Sequence, residues 1–160
     1  MFRASRLGQM FAGTLILLVS FAAGAELLVH EPWVREAPPT AKMLAGYMSL
    51  HNNGDRPIDV VAVDSPAFGA VEMHRSELHE GVARMVQQDK LSVAPGGSLE
   101  LAPGGYHLML MQPAKALRAG DSVELRLRLS DESTVTVTAP VRKASGANHQ
   151  QDHDHDQHHH

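Results

Sequence analysis

The sequence has no cysteine among its 160 residues. A chain without thiols cannot act as a thiol-disulfide oxidoreductase, cannot use a cysteine nucleophile and cannot supply the thiolate ligand of a blue-copper electron carrier. Disulfide bonds are excluded as well, so the stability of the fold must come from burial of apolar side chains. The chain is long enough to form one domain with such a core.

An excess of positive charge is also missing. The 14 lysines and arginines are outnumbered by 18 aspartates and glutamates, which gives a formal net charge of −4. Proteins that bind nucleic acid or anionic membranes need a polybasic surface, and this composition does not indicate one. We therefore expect no nucleic-acid partner.

Long apolar stripes with helical spacing are absent, whereas short apolar or alternating runs recur between turn signals. The clearest run is Val123 to Leu129, where apolar residues alternate with charged ones, as in a strand with one buried face. Two copies of the turn-forming sequence APGG, at 94–97 and 102–105, separate neighbouring runs. This pattern predicts a single all-β domain, a sandwich or a barrel.

The N-terminus has the features of an export signal. Two arginines precede an apolar run from Met10 to about Ala22, and the small residues Ala23-Gly24-Ala25 follow it. The run is shorter than the roughly 20 residues that span a bilayer. Residues 1–25 are therefore predicted to be a cleaved signal peptide, which would leave a periplasmic protein with no membrane insertion.

The composition changes abruptly after Val141. Residues 144–160 contain six of the eleven histidines and no large apolar side chain. We expect a disordered tail that binds Cu(II) weakly through imidazole and nearby aspartates, although an expression tag or an inert solvated tail is the alternative. The folded domain is then predicted to span residues 26–143.

The stretch YHLMLM at 106–111 allows two interpretations. Its alternation directs His107, Met109 and Met111 to one face of a strand and two leucines to the other. Methionine commonly fills gaps in a core, so this face could be buried packing or a metal site. His74 and Met85 could meet it, because the turn-like SELHEG between them predicts a hairpin with the two residues on facing strands.

The spacing of four of these residues is far more specific than any single one of them. Ten residues separate His74 from Met85, twenty-one separate Met85 from His107, and one separates His107 from Met109. This pattern resembles the signature of the PCuAC family of periplasmic copper chaperones. The resemblance extends from Val29 to Val141 through WVREAPP, GYMSLHNNGD, SPAFGAVEMH, LAPGGYHLMLM and LRAGDSVELRLRL, with His51 as the one visible departure, in a predicted turn.

The resemblance implies a cupredoxin-like Greek-key sandwich that binds Cu(I) through His74, Met85, His107 and Met109. It also implies a monomeric carrier without enzymatic activity, which supplies the dinuclear copper centre of cytochrome c oxidase subunit II, together with a Sco-type thiol protein. The donor chemistry agrees independently, because thioethers and imidazoles favour Cu(I) over hard cations and zinc.

Other assignments remain open beside this one. Met111 is the most plausible substitute ligand, while Met43, Met48 and Met73 are interpreted as packing residues, and His30, His51 and His79 as surface positions. A buffering or resistance protein that collects Cu(II) on the tail is the main alternative function. A metal-free interaction module comes next, and no nucleophile elbow or metal-hydrolase motif supports a hydrolase.

Overall fold

The computed structural model describes residues 27–144 of the chain. The predicted signal peptide, and all of the predicted tail except Ala144, lie outside these residues. Ten strands make up the described fold. They are β1 (Leu27–Arg35), β2 (Met43–Asn52), β3 (Ile58–Asp64), β4 (Phe68–His79), β5 (Val82–Gln87), β6 (Leu91–Val93), β7 (Ser98–Leu101), β8 (Tyr106–Pro113), β9 (Ser122–Leu129) and β10 (Thr134–Arg142).

The strands form one continuous sheet in the order β5-β4-β8-β7-β2-β1-β10-β9-β3-β6, with β8 also pairing directly with β2. A short parallel contact between β1 and β10, at Val34 with Val141 and Arg35 with Arg142, joins the two parts of the sheet. The predicted all-β, cupredoxin-like fold is confirmed. Within residues 27–144, no helix has the length and apolar character that a membrane span requires.

The hydrophobic core draws on both parts of the sheet. Leu50 and Leu110 come from one part and Leu125 and Leu127 from the other, and all four are almost fully buried. Strand β9 alternates as its sequence predicts, with its leucines and Val123 inward. Strand β8 also alternates, because Leu108 and Leu110 belong to the core and the opposite face, which carries the candidate ligands of β8, does not.

Both APGG segments form tight turns. The N–H of the last glycine donates to the carbonyl of the alanine three residues earlier, at 2.9 Å from Gly97 to Ala94 and 3.0 Å from Gly105 to Ala102. Proline fixes the backbone at the second position, and the third position, Gly104 in the second turn, has φ of +86°. This is the type II pattern, which requires a glycine there. The second turn delivers the chain directly into β8.

Two details differ from the sequence predictions. His51 lies within β2, not in a turn, and its Nδ1 is 2.8 Å from the hydroxyl of Ser98 on the neighbouring strand. The three-residue strand β6 is too short to show a periodic pattern, and it was not predicted.

Candidate metal centre

The predicted histidine ligands lie side by side in the sheet. His74 on β4 and His107 on β8 are register partners, and both are buried. Their ring centroids are 5.9 Å apart and the rings are tilted by 32°. Strand pairing therefore places the two imidazoles next to each other.

The orientation of His107 follows from the turn that precedes β8. Its Nδ1 lies 3.1 Å from the carbonyl oxygen of Gly105, so Nδ1–H is the donor and the ring is held against the backbone. The same carbonyl accepts the backbone N–H of Ser76 on β4 at 3.1 Å. This arrangement leaves the Nε2 lone pair of His107 available for a ligand.

A side chain orients His74, and the hydrogen bond involves its Nε2, whereas His107 is held through Nδ1. Its Nε2 lies 2.8 Å from Oε2 of Glu72, two residues earlier on the same face of β4. A carboxylate only accepts hydrogen bonds, so the imidazole nitrogen is the donor. Nδ1 of His74 is buried and has no hydrogen-bond partner among residues 27–144. A buried nitrogen without a hydrogen bond lowers the stability of the fold, and coordination of a soft metal ion would remove this cost.

The two predicted thioether ligands approach from different strands. Met109 follows His107 by two residues on the same face of β8 and is opposite Glu72 in register. Met85 lies on β5 opposite Ser76, two pairs beyond His74 and therefore on the same face. The β4–β5 hairpin closes at Glu80 and Gly81, whose φ values of +50° and +78° are those of a type I′ turn. The predicted hairpin is thus confirmed, and it carries Met85 with 64% of its surface exposed.

A cleft of about 410 Å³ opens on this face of the sheet. Met85, His107 and Met109 line it, together with Met43 at the start of β2, while His74 does not. Two alanines, a leucine, Arg35 and Glu36 form the rest of its lining. Three of the four predicted ligands therefore share one accessible cavity, and the fourth is packed beside His107.

The other methionines of the described strands lie in three different environments. Met73 and Met48 are buried core residues, as predicted. Met111 shares the face of Met109 but does not line the cleft. The packing interpretation of Met43 is wrong, because 49% of its surface is exposed. It precedes the inward-facing Leu44, so strand alternation turns it away from the core and onto the cleft face.

Glu72 is the residue of the site that the sequence reasoning missed. Its signal was present in the sequence, because a residue two positions before His74 on a strand must share its face. The surface interpretation of His30 and His79 is confirmed, since both are exposed.

The chemistry of the site is that of soft donors. Within residues 27–144, no three or more His, Cys, Asp or Glu side chains cluster in a way that could hold a metal ion. The site offers two imidazoles and thioethers instead, and these favour Cu(I) over zinc, magnesium or calcium. The buried, unpaired Nδ1 of His74 fits such an ion.

The chain matches a known sequence family and is similar to proteins of two organisms. The family described as "LpqE-like: Putative lipoprotein LpqE-like" matches residues 27–141. A protein of Leifsonia xyli subsp. xyli called "Putative lipoprotein Lxx21020" is 35% identical over 121 residues, which cover 75% of this chain and 72% of that protein. "Uncharacterized protein RP573" of Rickettsia prowazekii is 29% identical over 126 residues, covering 73% of this chain and 68% of that protein.

Solved structures show the same architecture. The "Copper-bound PCuAC domain from PmoF2" superposes with a TM-score of 0.63 at 25% identity, covering 74% of this chain and 93% of that domain. The Cu(I) form of DR1885 from Deinococcus radiodurans gives a TM-score of 0.61 at 31% identity, with 77% and 83% covered. The chain shares the fold of these PCuAC domains, and by its sequence it belongs to the LpqE-like family.

Proposed function

We propose that this protein is an exported Cu(I) carrier, which binds one Cu(I) ion through His74, Met85, His107 and Met109 and passes it to a copper enzyme. The observation that carries this proposal is the pair of buried, adjacent histidines, each with one nitrogen left for a ligand, beside two thioethers on the same sheet face. The similarity to PCuAC domains solved with copper supports it.

The donor set suits transport better than permanent storage. All four proposed ligands are neutral, and no thiolate is available to hold the metal more tightly. Met85 is exposed and lines the open cleft, so an acceptor can reach the metal from that side. The carrier needs no catalytic step, since only metal ligands are exchanged.

The proposed acceptor is the dinuclear copper centre of cytochrome c oxidase subunit II, with a Sco-type thiol protein as the partner that supplies reducing equivalents. The periplasm is the proposed compartment. The signal-like residues 1–25 support export, as do the relatives that are called lipoproteins.

Metal binding is tested by competition with a Cu(I) chelator and by X-ray absorption. We expect one Cu(I) per chain, with both nitrogen and sulfur scatterers. Replacing Met109 with leucine keeps the approximate volume and removes the donor, so the affinity should fall at least about tenfold. Met48→Leu is the matched control because Met48 is 3% exposed and lies in the core. An unchanged affinity in Met109→Leu, or no sulfur scatterer, refutes the site.

Delivery is tested separately, by mixing the Cu(I)-loaded protein with the copper-free soluble domain of an oxidase subunit II. The acceptor's copper absorption should appear under reducing conditions, directly or after a Sco-type protein is added. A domain that fills from a small Cu(I) complex but not from the loaded protein would refute delivery and favour buffering.

A further inference from the structure

The cleft contains one soft donor more than the proposed site uses. Met43 lines it together with Met85, His107 and Met109, whereas His74 lies outside its lining. Met43 does not belong to the hydrophobic core, and 49% of its surface is exposed. The thioether therefore lies where an accessible metal ion would pass.

Strand register brings Met43 within reach of the other donors. Ala45 on β2 is the register partner of Met109 on β8, and Met43 is two residues before Ala45 on the same face. Met43 is thus the diagonal neighbour of Met109. Diagonal pairs in an antiparallel sheet are about 7–8 Å apart at the backbone, a separation that two long side chains can bridge.

We infer that Met43 is a further Cu(I) ligand, which replaces His74 when the metal moves from the buried histidine pair to the open cleft. This inference rests on the proposed function. In the inner arrangement the ligands are His74, His107, Met85 and Met109; in the outer arrangement Met43 replaces His74. One copper–nitrogen bond breaks and one copper–sulfur bond forms, without a change in oxidation state.

The exchange has a physical basis in the two environments. His74 is buried and fixed by Glu72, so it cannot follow the metal outward. Met43 has an unbranched, flexible side chain at the accessible side, and its thioether is a weaker donor that an acceptor displaces more easily. The outer arrangement therefore prepares the metal for transfer.

The inference is tested by removing His74 and Met43 singly and together. X-ray absorption of the Cu(I) form should show two sulfur ligands in the wild type, three in His74→Ala, and two in the double variant with Met43→Leu. In chelator competition, Met43→Leu should lower affinity less than about threefold in the wild type but at least about tenfold in His74→Ala, because Met43 replaces the missing ligand.

Two controls keep the test decisive. Met48→Leu removes a thioether from the same strand on the core side. It should leave the Cu(I) affinity unchanged both in the wild type and in His74→Ala. His74→Leu fills more of the space than alanine, and it is used if His74→Ala does not give a folded NMR spectrum.

The methyl resonances of the methionines give a second readout, since Cu(I) is diamagnetic. In Cu(I)-loaded His74→Ala or His74→Leu, the Met43 methyl signal should shift with those of Met85 and Met109, while that of Met48 should not. If Met85 and Met109 shift and Met43 does not, or if both His74 variants lose Cu(I) entirely, this inference is wrong. If no methionine of the wild type responds to Cu(I), the proposed function itself fails.

Discussion

The hydrogen bond from His74 to Glu72 makes a quantitative prediction about copper affinity. The distance of 2.8 Å from Nε2 to Oε2 is that of a strong bond between an imidazole and a carboxylate. The bond keeps the proton on Nε2 and leaves Nδ1 as the free donor. Replacing Glu72 with leucine removes this restraint, so the tautomer and the ring orientation of His74 are no longer fixed.

The size of the effect follows from the environment of the bond. Hydrogen bonds to charged groups contribute about 1.5–3 kcal/mol, and the Glu72 side chain, with 35% of its surface exposed, belongs at the lower end. A loss of about 1.4 kcal/mol corresponds to a tenfold change in affinity. We therefore expect Glu72→Leu to bind Cu(I) roughly tenfold more weakly, and Glu72→Gln, whose amide oxygen can still accept, to lose less.

The assay is chelator competition, combined with ¹⁵N NMR of the imidazoles in the metal-free protein. The wild type should show His74 with its proton on Nε2, and Glu72→Leu should show a mixture of tautomers. Glu77→Leu is the control, since it removes a carboxylate of the same strand whose ion-pair partner within residues 27–144 is Arg75, at 3.6 Å. A gain in affinity in Glu72→Leu would refute the reasoning, because Nε2 would then be the copper ligand and Glu72 its competitor.

Three further predictions concern other parts of the chain. Asn52→Ala should lower the free energy of unfolding by about 2–3 kcal/mol in urea denaturation, because the buried amide donates to the carbonyls of Arg56 and Val93 and accepts from Gly54 N–H. The hydrogen bonds from Lys90 and Ser92 lower the pKa of Asp59, so its stabilising effect is complete above about pH 4 and is lost as the pH falls through the lowered pKa. Asp59→Asn should accordingly be less stable than the wild type at pH 7, by no more than about 1 kcal/mol, and equal to it in strong acid. Deletion of residues 144–160 should reduce binding of Cu(II) or Zn(II) in calorimetry and leave the Cu(I) affinity unchanged.

The sequence predicted most of the fold because strand alternation and turn chemistry are local signals. The buried leucines of β9, the two APGG turns and the β4–β5 hairpin all follow from residues close together in the chain. The strand β6 could not be predicted in this way. Its pairing with β3 depends on residues about thirty positions apart, and three residues carry too little pattern.

The candidate site was predicted only in part, for a related reason. The spacing of His74, Met85, His107 and Met109 identified the residues, and the register shows how strands bring the histidines together. Which nitrogen each histidine leaves free depends on Glu72 and on the carbonyl of Gly105, and Met43 joins the cleft through pairing of β2 with β8. Both histidine contacts are with residues two positions earlier in the chain, so alternation places the partners nearby, but the atoms that meet depend on side-chain rotamers and on the turn before β8. The pairing of β2 with β8 is a tertiary relationship, and no local pattern encodes it.

The exposed hairpin also affects the thermodynamics of metal loading. All six residues of β5 are exposed, and among the described strands β5 lies at the edge of the sheet, paired with β4 on one side. Immobilising a methionine side chain costs roughly 1.5–2 kcal/mol of conformational entropy, and this cost is paid for Met85 when the metal binds. Metal release returns that entropy, so the affinity is lower than four rigid ligands would give. Amide hydrogens of β5 should therefore exchange faster with solvent in the metal-free protein than in the loaded one.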